Sequence, residues 1–183
     1  MATSKTGSFW LTESLESAVA TAGLYEGTID LGAYVDVGDQ QAIAIEEVTF
    51  IWQRYDTVTG KYDGNLPAGV TSNMTFDSQL SDLNPGGVIL RANDQNLIAS
   101  GTMYLDDTNS VATIGADLYP DTFGKLDESR IVVNDSVYYT VDIGGTVAAN
   151  MQMVGTVRIK ARIVKLSTKD WMAIAIQSTA ADN

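Results

Sequence analysis

Apolar and polar residues alternate along short stretches of this chain, and this period of two constrains its fold more than any other feature of the sequence. The longest such stretch spans 151–166. One face of that stretch holds Met151, Met153, Gly155, Val157, Ile159, Ala161 and Ile163. Because successive side chains of a strand point to opposite faces, the pattern predicts a strand with one buried face and one polar face.

Similar patterns recur at short intervals along the chain. Further strands are predicted at 28–37, 42–53, 70–77, 88–91, 97–105, 111–116, 130–133, 137–143 and 171–177. The segment 119–129 is predicted to be an ordered loop between strands. Many short strands without βαβ alternation predict an all-β antiparallel sandwich or barrel, and eight core strands fit a single jelly roll.

One helix is predicted, at 11–22, where apolar residues share a face at helical spacing and Gly23 provides a stop. The shared face holds Leu11, Leu15, Ala18, Val19 and Ala22. The sequence therefore predicts two parts, which are an N-terminal arm with a short helix at 1–26 and a jelly-roll sandwich at 27–183.

The chain has no histidine and no cysteine. This excludes the Ser-His-Asp triad, the Cys-His pair, and metal sites built from thiolate or imidazole. A hydrolase with two carboxylates is a third-ranked hypothesis, because no particular pair of acidic residues stands out in the sequence. We therefore expect no enzyme activity and no cofactor, and the sequence singles out no catalytic or metal-binding residue.

Two acidic features have both a structural and a chemical interpretation. Glu46 and Glu47 are adjacent within a predicted strand, so they point to opposite faces and favour a β-bulge or a solvent-facing bend over a catalytic pair. The turn at 106–109 offers oxygen ligands to Ca²⁺. It lacks the regular spacing of an EF-hand loop, which favours a plain polar turn.

Acidic residues outnumber basic ones by 23 to 11, which gives a formal net charge of −12. Direct binding to nucleic acid is disfavoured, because phosphate contacts need clustered Lys and Arg. The acidity fits an ordinary acidic protein or a halophile, and the preference for Asp with little Lys favours the halophile. Residues 1–7 lack the features of a signal peptide, so we expect synthesis in the cytoplasm.

A basic ladder lies on the polar face of the 151–166 strand. Arg158, Lys160 and Arg162 follow one another there at intervals of about 6.6 Å. Three partners are open for this ladder: carboxylates on an adjacent strand of the same chain, another subunit, or anionic lipid headgroups. We select these three residues as interface candidates.

Tyr55 and Tyr62 flank the turn at 57–60, in a pattern that predicts a hairpin with both rings on one side. These tyrosines are two further interface candidates. The same hairpin also suggests a carbohydrate-binding platform, in which Trp52, Tyr55 and Tyr62 stack on a sugar and Asp56 and Asp63 provide polar contacts.

The profile resembles the small major capsid proteins of the haloarchaeal icosahedral viruses with an internal membrane, the sphaerolipovirus group. The resemblance covers the whole chain, through its size, Asp-rich acidity, missing signal sequence, early helix and terminal strands at 151–166 and 171–177. It implies a single jelly roll that associates with itself and with a second, larger capsid protein. The resulting pseudo-hexameric capsomers would surround a membrane vesicle. No site residue is carried over from the family.

A structural coat protein of the virion is therefore the leading hypothesis, and a carbohydrate-binding β-sandwich is the alternative. High salt strengthens hydrophobic burial and screens repulsion between carboxylates. An acidic coat in a halophile is accordingly expected to loosen when salt is lowered.

Overall fold

Strands dominate the computed structural model, which describes residues 2–115 and 130–180, with side chains as far as Ile176. The described strands are β1 (Thr3–Ser4), β2 (Phe9–Glu16), β3 (Gly23–Asp30), β4 (Gln41–Asp56), β5 (Lys61–Asp63), β6 (Met74–Ser81), β7 (Leu97–Asp106), β8 (Val111–Ile114), β9 (Arg130–Val132), β10 (Ser136–Gly144) and β11 (Met151–Lys165). A 3-10 turn at Leu66–Gly69 and one helix, α1 (Thr168–Ala180), complete these elements. The predicted loop at 119–129 lies outside the described residues.

The strands form two antiparallel sheets. In the first sheet the long strand β11 lies between β4 on one side and β2 and β1 on the other, and β4 also pairs with β5 and β9. The second sheet has the order β3-β10-β6-β7-β8. Eight strands are thus divided between two layers of four, β2-β11-β4-β9 and β3-β10-β6-β7, which is the arrangement of a jelly roll. This confirms the predicted fold class.

The core lies between the inner faces of the two sheets. Phe76 and Tyr139 of the second sheet face Val157 and Ile159 of the first, and each of the four is at most 1 % exposed. Burying side chains of this size contributes about 1.5–3 kcal/mol apiece. Tyr139 crosses the gap so closely that a Cβ on Gly155 would lie 2.6 Å from its hydroxyl oxygen. Glycine at 155 is therefore a packing requirement.

The helix predicted at 11–22 is wrong. Residues Phe9–Glu16 form β2, which pairs with β11 from Phe9↔Ala161 to Glu16↔Val154. Leu11 and Leu15 fit a helical period of four and a strand period of two equally well, so their spacing does not separate the two structures. Pairing along the whole of β2 selects the strand. The predicted boundary at 26/27 falls inside β3, and the division into arm and sandwich stays a prediction.

The strand predicted at 171–177, one of the features behind the family resemblance, is also wrong, because this segment belongs to α1. Ser167 caps the helix, since its hydroxyl accepts a hydrogen bond from the Asp170 amide at 3.1 Å. Trp171, Ile174 and Ala175 share a helical face and pack on the outer side of the first sheet. The residues they cover are Ala42, Ala44, Val133, Val164 and Leu166. The missed signal was the Ser-x-x-Asp cap before an apolar run.

Other differences concern boundaries. The strand predicted at 28–37 is β3, which ends at Asp30, where a side-chain oxygen accepts the Gly32 amide at 2.8 Å and starts a turn. The strand predicted at 70–77 lies four residues later, as β6. Residues 88–91 form no strand. Of the bulge and the solvent-facing bend predicted at Glu46 and Glu47, the structure shows the bulge, as a register shift opposite Lys160 and Ala161.

Helix α1 has 13 residues, and nothing in the described segments forms a helix with the length and apolarity needed to cross a bilayer.

Candidate functional site

The two sheets of the sandwich differ in charge. The described strands of the first sheet carry seven basic and six acidic residues, whereas those of the second carry five acidic residues and no basic one. The basic residues of the first sheet are Arg54, Lys61, Arg130, Arg158, Lys160, Arg162 and Lys165. The acidic residues of the second are Glu26, Asp30, Asp77, Asp106 and Asp142. The outer faces of the two sheets are therefore the candidate interaction surfaces.

One residue of the basic ladder forms an ion pair within the chain, and the other two form none among the described residues. Arg162 forms an ion pair with the buried carboxylate of Glu46, the residue displaced by the bulge. Ser8 donates a hydrogen bond to the same carboxylate at 2.8 Å and accepts one from Arg162 at 3.2 Å. Arg162 thus fastens the N-terminal segment to the first sheet, which is the intrachain interpretation of the ladder.

Arg158 and Lys160 have no ion pair with any carboxylate among the described residues. The guanidinium of Arg158 lies 4.7 Å from the ring centroid of Trp10, which is 46 % exposed. Lys160 lies between Trp10 and Glu47 in the register of the sheet. An exposed Trp–Arg pair on the face of a sheet is typical of the centre of a protein interface.

The predicted hairpin forms, with Tyr55 and Tyr62 directly opposite each other and their ring centroids 4.6 Å apart. The Tyr62 hydroxyl donates a hydrogen bond to Glu16 at 2.9 Å, reaching across the outer face of the first sheet. That bond to a carboxylate favours the neutral phenol and raises the pKa of Tyr62. Tyr62 nevertheless remains 51 % exposed.

The structure separates Trp52 from the two tyrosines. Its indole nitrogen donates a hydrogen bond to Ser78 of the second sheet at 3.0 Å, so the ring lies between the sheets. Asp63 binds Arg54 through two hydrogen bonds of 2.7 and 2.9 Å, which lower the pKa of Asp63. Asp56 accepts the Val58 amide at 2.8 Å within the turn, which lowers the pKa of Asp56. Both carboxylates are thus committed to local contacts.

Sequence reasoning missed the outer face of the second sheet as a site. Glu26 and Asp30 are exposed on β3, and Asp142 and Asp77 are direct neighbours on β10 and β6. Asp77 accepts a hydrogen bond from Thr102 at 2.5 Å. Side-by-side carboxylates repel each other, so this face favours a cationic partner. The signal was available in the sequence, since each of these acidic residues occupies a polar position of an alternating strand.

The turn at 106–109 is held by hydrogen bonds between its own residues. Asp106 accepts hydrogen bonds from the Asn109 amide at 3.1 Å and from its side-chain nitrogen at 2.7 Å, and the pKa of Asp106 is lowered as a result. The described residues include no group of three or more acidic side chains placed to hold a metal ion. This geometry is that of a polar turn.

No family model and no curated protein matches this chain. Among solved structures, VP1 of Trichodysplasia spinulosa-associated polyomavirus, solved in complex with sialylated glycooligomers, is 12% identical over 89% of this chain and 98% of that one, with a TM-score of 0.45. Desmodium yellow mottle tymovirus is 6% identical over 88% and 90%, with a TM-score of 0.29. Turnip yellow mosaic virus is 10% identical over 90% and 86%, with a TM-score of 0.22. Scores this low carry no argument for function, which rests on the residues described above.

Proposed function

We propose that this chain is a structural coat protein of a virion, which assembles through its sheet faces. The jelly-roll fold alone does not decide this, because coat proteins, lectins and enzymes all use it. The observation that supports a coat role is the exposed pair Trp10 and Arg158, with Lys160 beside it, on one sheet of a sandwich whose other sheet has only acidic charges in its described strands. Such a subunit needs a rigid core and several surfaces that neighbours bury.

The finer assignment follows the family resemblance. In this proposal the chain forms pseudo-hexameric capsomers with itself and a second, larger capsid protein, in a shell around a membrane vesicle of a haloarchaeal virus. Support comes from the acidity of the chain, at −12, and from the jelly-roll strand order. The cations Arg158 and Lys160 provide one surface for a neighbouring subunit.

Salt is expected to control assembly in this proposal. Subunits with a net charge of −12 repel one another, and at molar salt the Debye length falls to about 3 Å. Hydrophobic burial is strengthened at the same time by salts excluded from the protein surface. We therefore expect oligomers or shells at high salt and dissociated subunits in dilute buffer.

Sedimentation velocity of the purified chain in multimolar NaCl and again in dilute buffer tests the proposal. Salt-dependent oligomers or shells support a halophilic coat protein. A monomer at every salt concentration, including high protein concentration, contradicts self-assembly and removes the coat role.

Carbohydrate binding is the second candidate function, favoured by the exposed ring of Tyr62 stacked beside Tyr55. An exposed tyrosine offers an apolar face for a sugar ring and a hydroxyl for its polar edge. Glycan titration followed by tyrosine fluorescence separates this function from the first. Quenching that is saturable and lost in Tyr62→Ala supports a sugar site, and no response in the native chain excludes it.

A further inference from the structure

We propose that the outer face of the first sheet docks on the outer face of the second sheet of a second copy of this chain. This inference rests on the proposed coat function and specifies which surfaces meet. The basic face is defined by Trp10, Thr12, Thr49, Arg158 and Lys160. The acidic face is defined by Glu26, Asp30, Asp77 and Asp142.

The two faces are complementary in charge. The acidic face lies on a sheet without any Lys or Arg in its described strands. Residues 89–92 lie against the β6 side of this face, where Gln79 is hydrogen-bonded to Leu90 and where Arg91 and Asp77 line the same cavity. Glu26, Asp30 and Asp142 form no ion pair among the described residues, and they need a cationic partner when they are brought into contact with another surface. The basic face provides Arg158 and Lys160, which pair with no carboxylate in the described part of the chain. Both faces belong to the same chain, so copies of it alone can satisfy both.

The basic face also has the composition of a protein interface. Trp10 is 46 % exposed and supports the Arg158 guanidinium on its ring, while Thr12 and Thr49 flank Arg158 in the register of the sheet. Tryptophan and arginine are enriched among the residues that contribute most to the affinity of protein interfaces. Docking would bury the indole that the isolated chain leaves in water.

The same face argues against a lipid membrane as the partner. Glu47 lies beside Lys160 in the sheet register, and Glu16 lies on the same side of β2 as Trp10. Carboxylates at the same level as the cations would repel anionic headgroups. Glu47 and Glu16 would also repel the acidic face of a second copy, so the proposed contact is centred on Arg158 and leaves both carboxylates at its hydrated rim.

The position of the two faces fixes the kind of assembly. They lie on opposite sides of the sandwich, so contact of one face with the other is heterologous and leaves a free face on each copy. Such contacts close into a ring when each step turns the next copy by a whole fraction of a circle, and they continue as an open filament otherwise. A capsomer requires the closed ring.

The expected contact is weak for a single pair of copies. Three strands that pair over eight residues cover about 14 by 26 Å, or roughly 400 Å² of sheet on each copy. That area is below the usual size of a stable complex. Stability would come from closure, since every subunit of a ring makes two such contacts.

Charge reversal tests the contact. The basic-face variant carries Arg158→Glu and Lys160→Glu, and the acidic-face variant carries Glu26→Lys and Asp142→Lys. Each alone places like charges across the interface. Association is measured by sedimentation velocity in multimolar NaCl, where the native chain is expected to associate and where charges buried in a contact are screened less than exposed ones. We expect the association constant of each variant to fall at least about tenfold.

Mixing the two variants gives the decisive readout. Their altered faces attract each other and their native faces remain compatible, so an equimolar mixture should recover association by alternating the two chains. A chain with all four substitutions keeps the native net charge and should also associate. Recovery by either route supports this contact, and lack of recovery in both overturns it.

Matched controls separate local from overall charge. Lys165→Glu with Lys169→Glu, and Asp39→Lys with Asp107→Lys, make the same changes in net charge outside both faces. We expect association within about twofold of the native chain for both. Circular dichroism verifies folding of every variant. Equal losses in the controls and the face variants overturn the docking model.

The remaining outcomes distinguish this inference from the coat function. If the native chain never associates, the coat function itself fails. If it associates and the face variants do so equally well, only the docking model is overturned. The docking model is also overturned if the native chain binds phosphatidylglycerol vesicles and the basic-face variant loses that binding but still self-associates. In that case the basic face binds lipid.

Discussion

The two sheets share one core but differ in how each stabilises its buried carboxylate. The first sheet buries Glu46 with its ion-pair partner Arg162, and it leaves Arg158 and Lys160 without a carboxylate partner among the described residues. At the end of the second sheet, Asp82 is 2 % exposed and lies 3.9 Å from Arg130, with its carboxylate bound by the Asn134 amide at 2.8 Å. The first sheet therefore neutralises its buried acid with a cation, whereas the second relies mainly on a neutral donor.

Breaking the ion pair of the first sheet should have the largest effect. Arg162→Met leaves Glu46 buried without its cation, and we expect the free energy of unfolding to fall by about 3 kcal/mol in urea titrations. Arg158→Met on the same strand is the control and should cost less than about 1 kcal/mol, since it loses only an exposed contact with Trp10. Equal losses in the two variants would refute the distinction between paired and unpaired residues of the ladder.

The closest approach between the sheets should be the next most sensitive position. Gly155→Ala introduces a Cβ 2.6 Å from the Tyr139 hydroxyl and 2.9 Å from Val141. Overpacking of this kind costs about 1–3 kcal/mol, measurable as a lower midpoint of thermal unfolding. Gly64→Ala is the matched control, because no atom lies within 4 Å of the position that its added methyl group would occupy. An unchanged unfolding midpoint in Gly155→Ala would mean that the two sheets move apart readily to admit the added methyl group.

The buried acid of the second sheet should give the smallest effect, visible in its pH dependence. Burial raises the pKa of Asp82, so the folded chain retains this proton to higher pH than the unfolded chain does. The contribution of Asp82 to stability is therefore most favourable below the ordinary Asp pKa of about 3.9, and it is lost as pH rises through the higher pKa of the folded chain.

Asp82→Asn should remove that pH dependence and keep the hydrogen bond with Asn134. Urea unfolding of the variant and the native chain at several pH values above about 3.9 measures the difference, which should grow in favour of the variant as pH rises. Asp39→Asn, in an exposed turn, serves as the control. A difference that shrinks with rising pH would show that Asp82 is stabilised as a carboxylate by Arg130.

Part of the candidate site could be predicted from the sequence. The alternation at 151–166 placed Arg158, Lys160 and Arg162 on one face, and the hairpin placed Tyr55 opposite Tyr62, because both depend on local geometry. The commitment of Arg162 to Glu46 depends on the register between β11 and β4, which alternation does not specify. Trp10, which no sequence pattern singled out, became a candidate only when β2 paired beside Arg158.

The sequence by itself determined that this chain forms a β-sandwich of many short strands, because the period of two is repeated and each strand must bury its apolar face. Only the tertiary structure decided which secondary structure forms near the two ends of the chain. Apolar residues at 11–22 and 171–177 satisfy helical and extended spacing alike, so local pattern leaves them ambiguous. Pairing with β11 made the first a strand, and the small residues Ala42 and Ala44 on the outside of the first sheet gave the second a surface on which to pack as a helix.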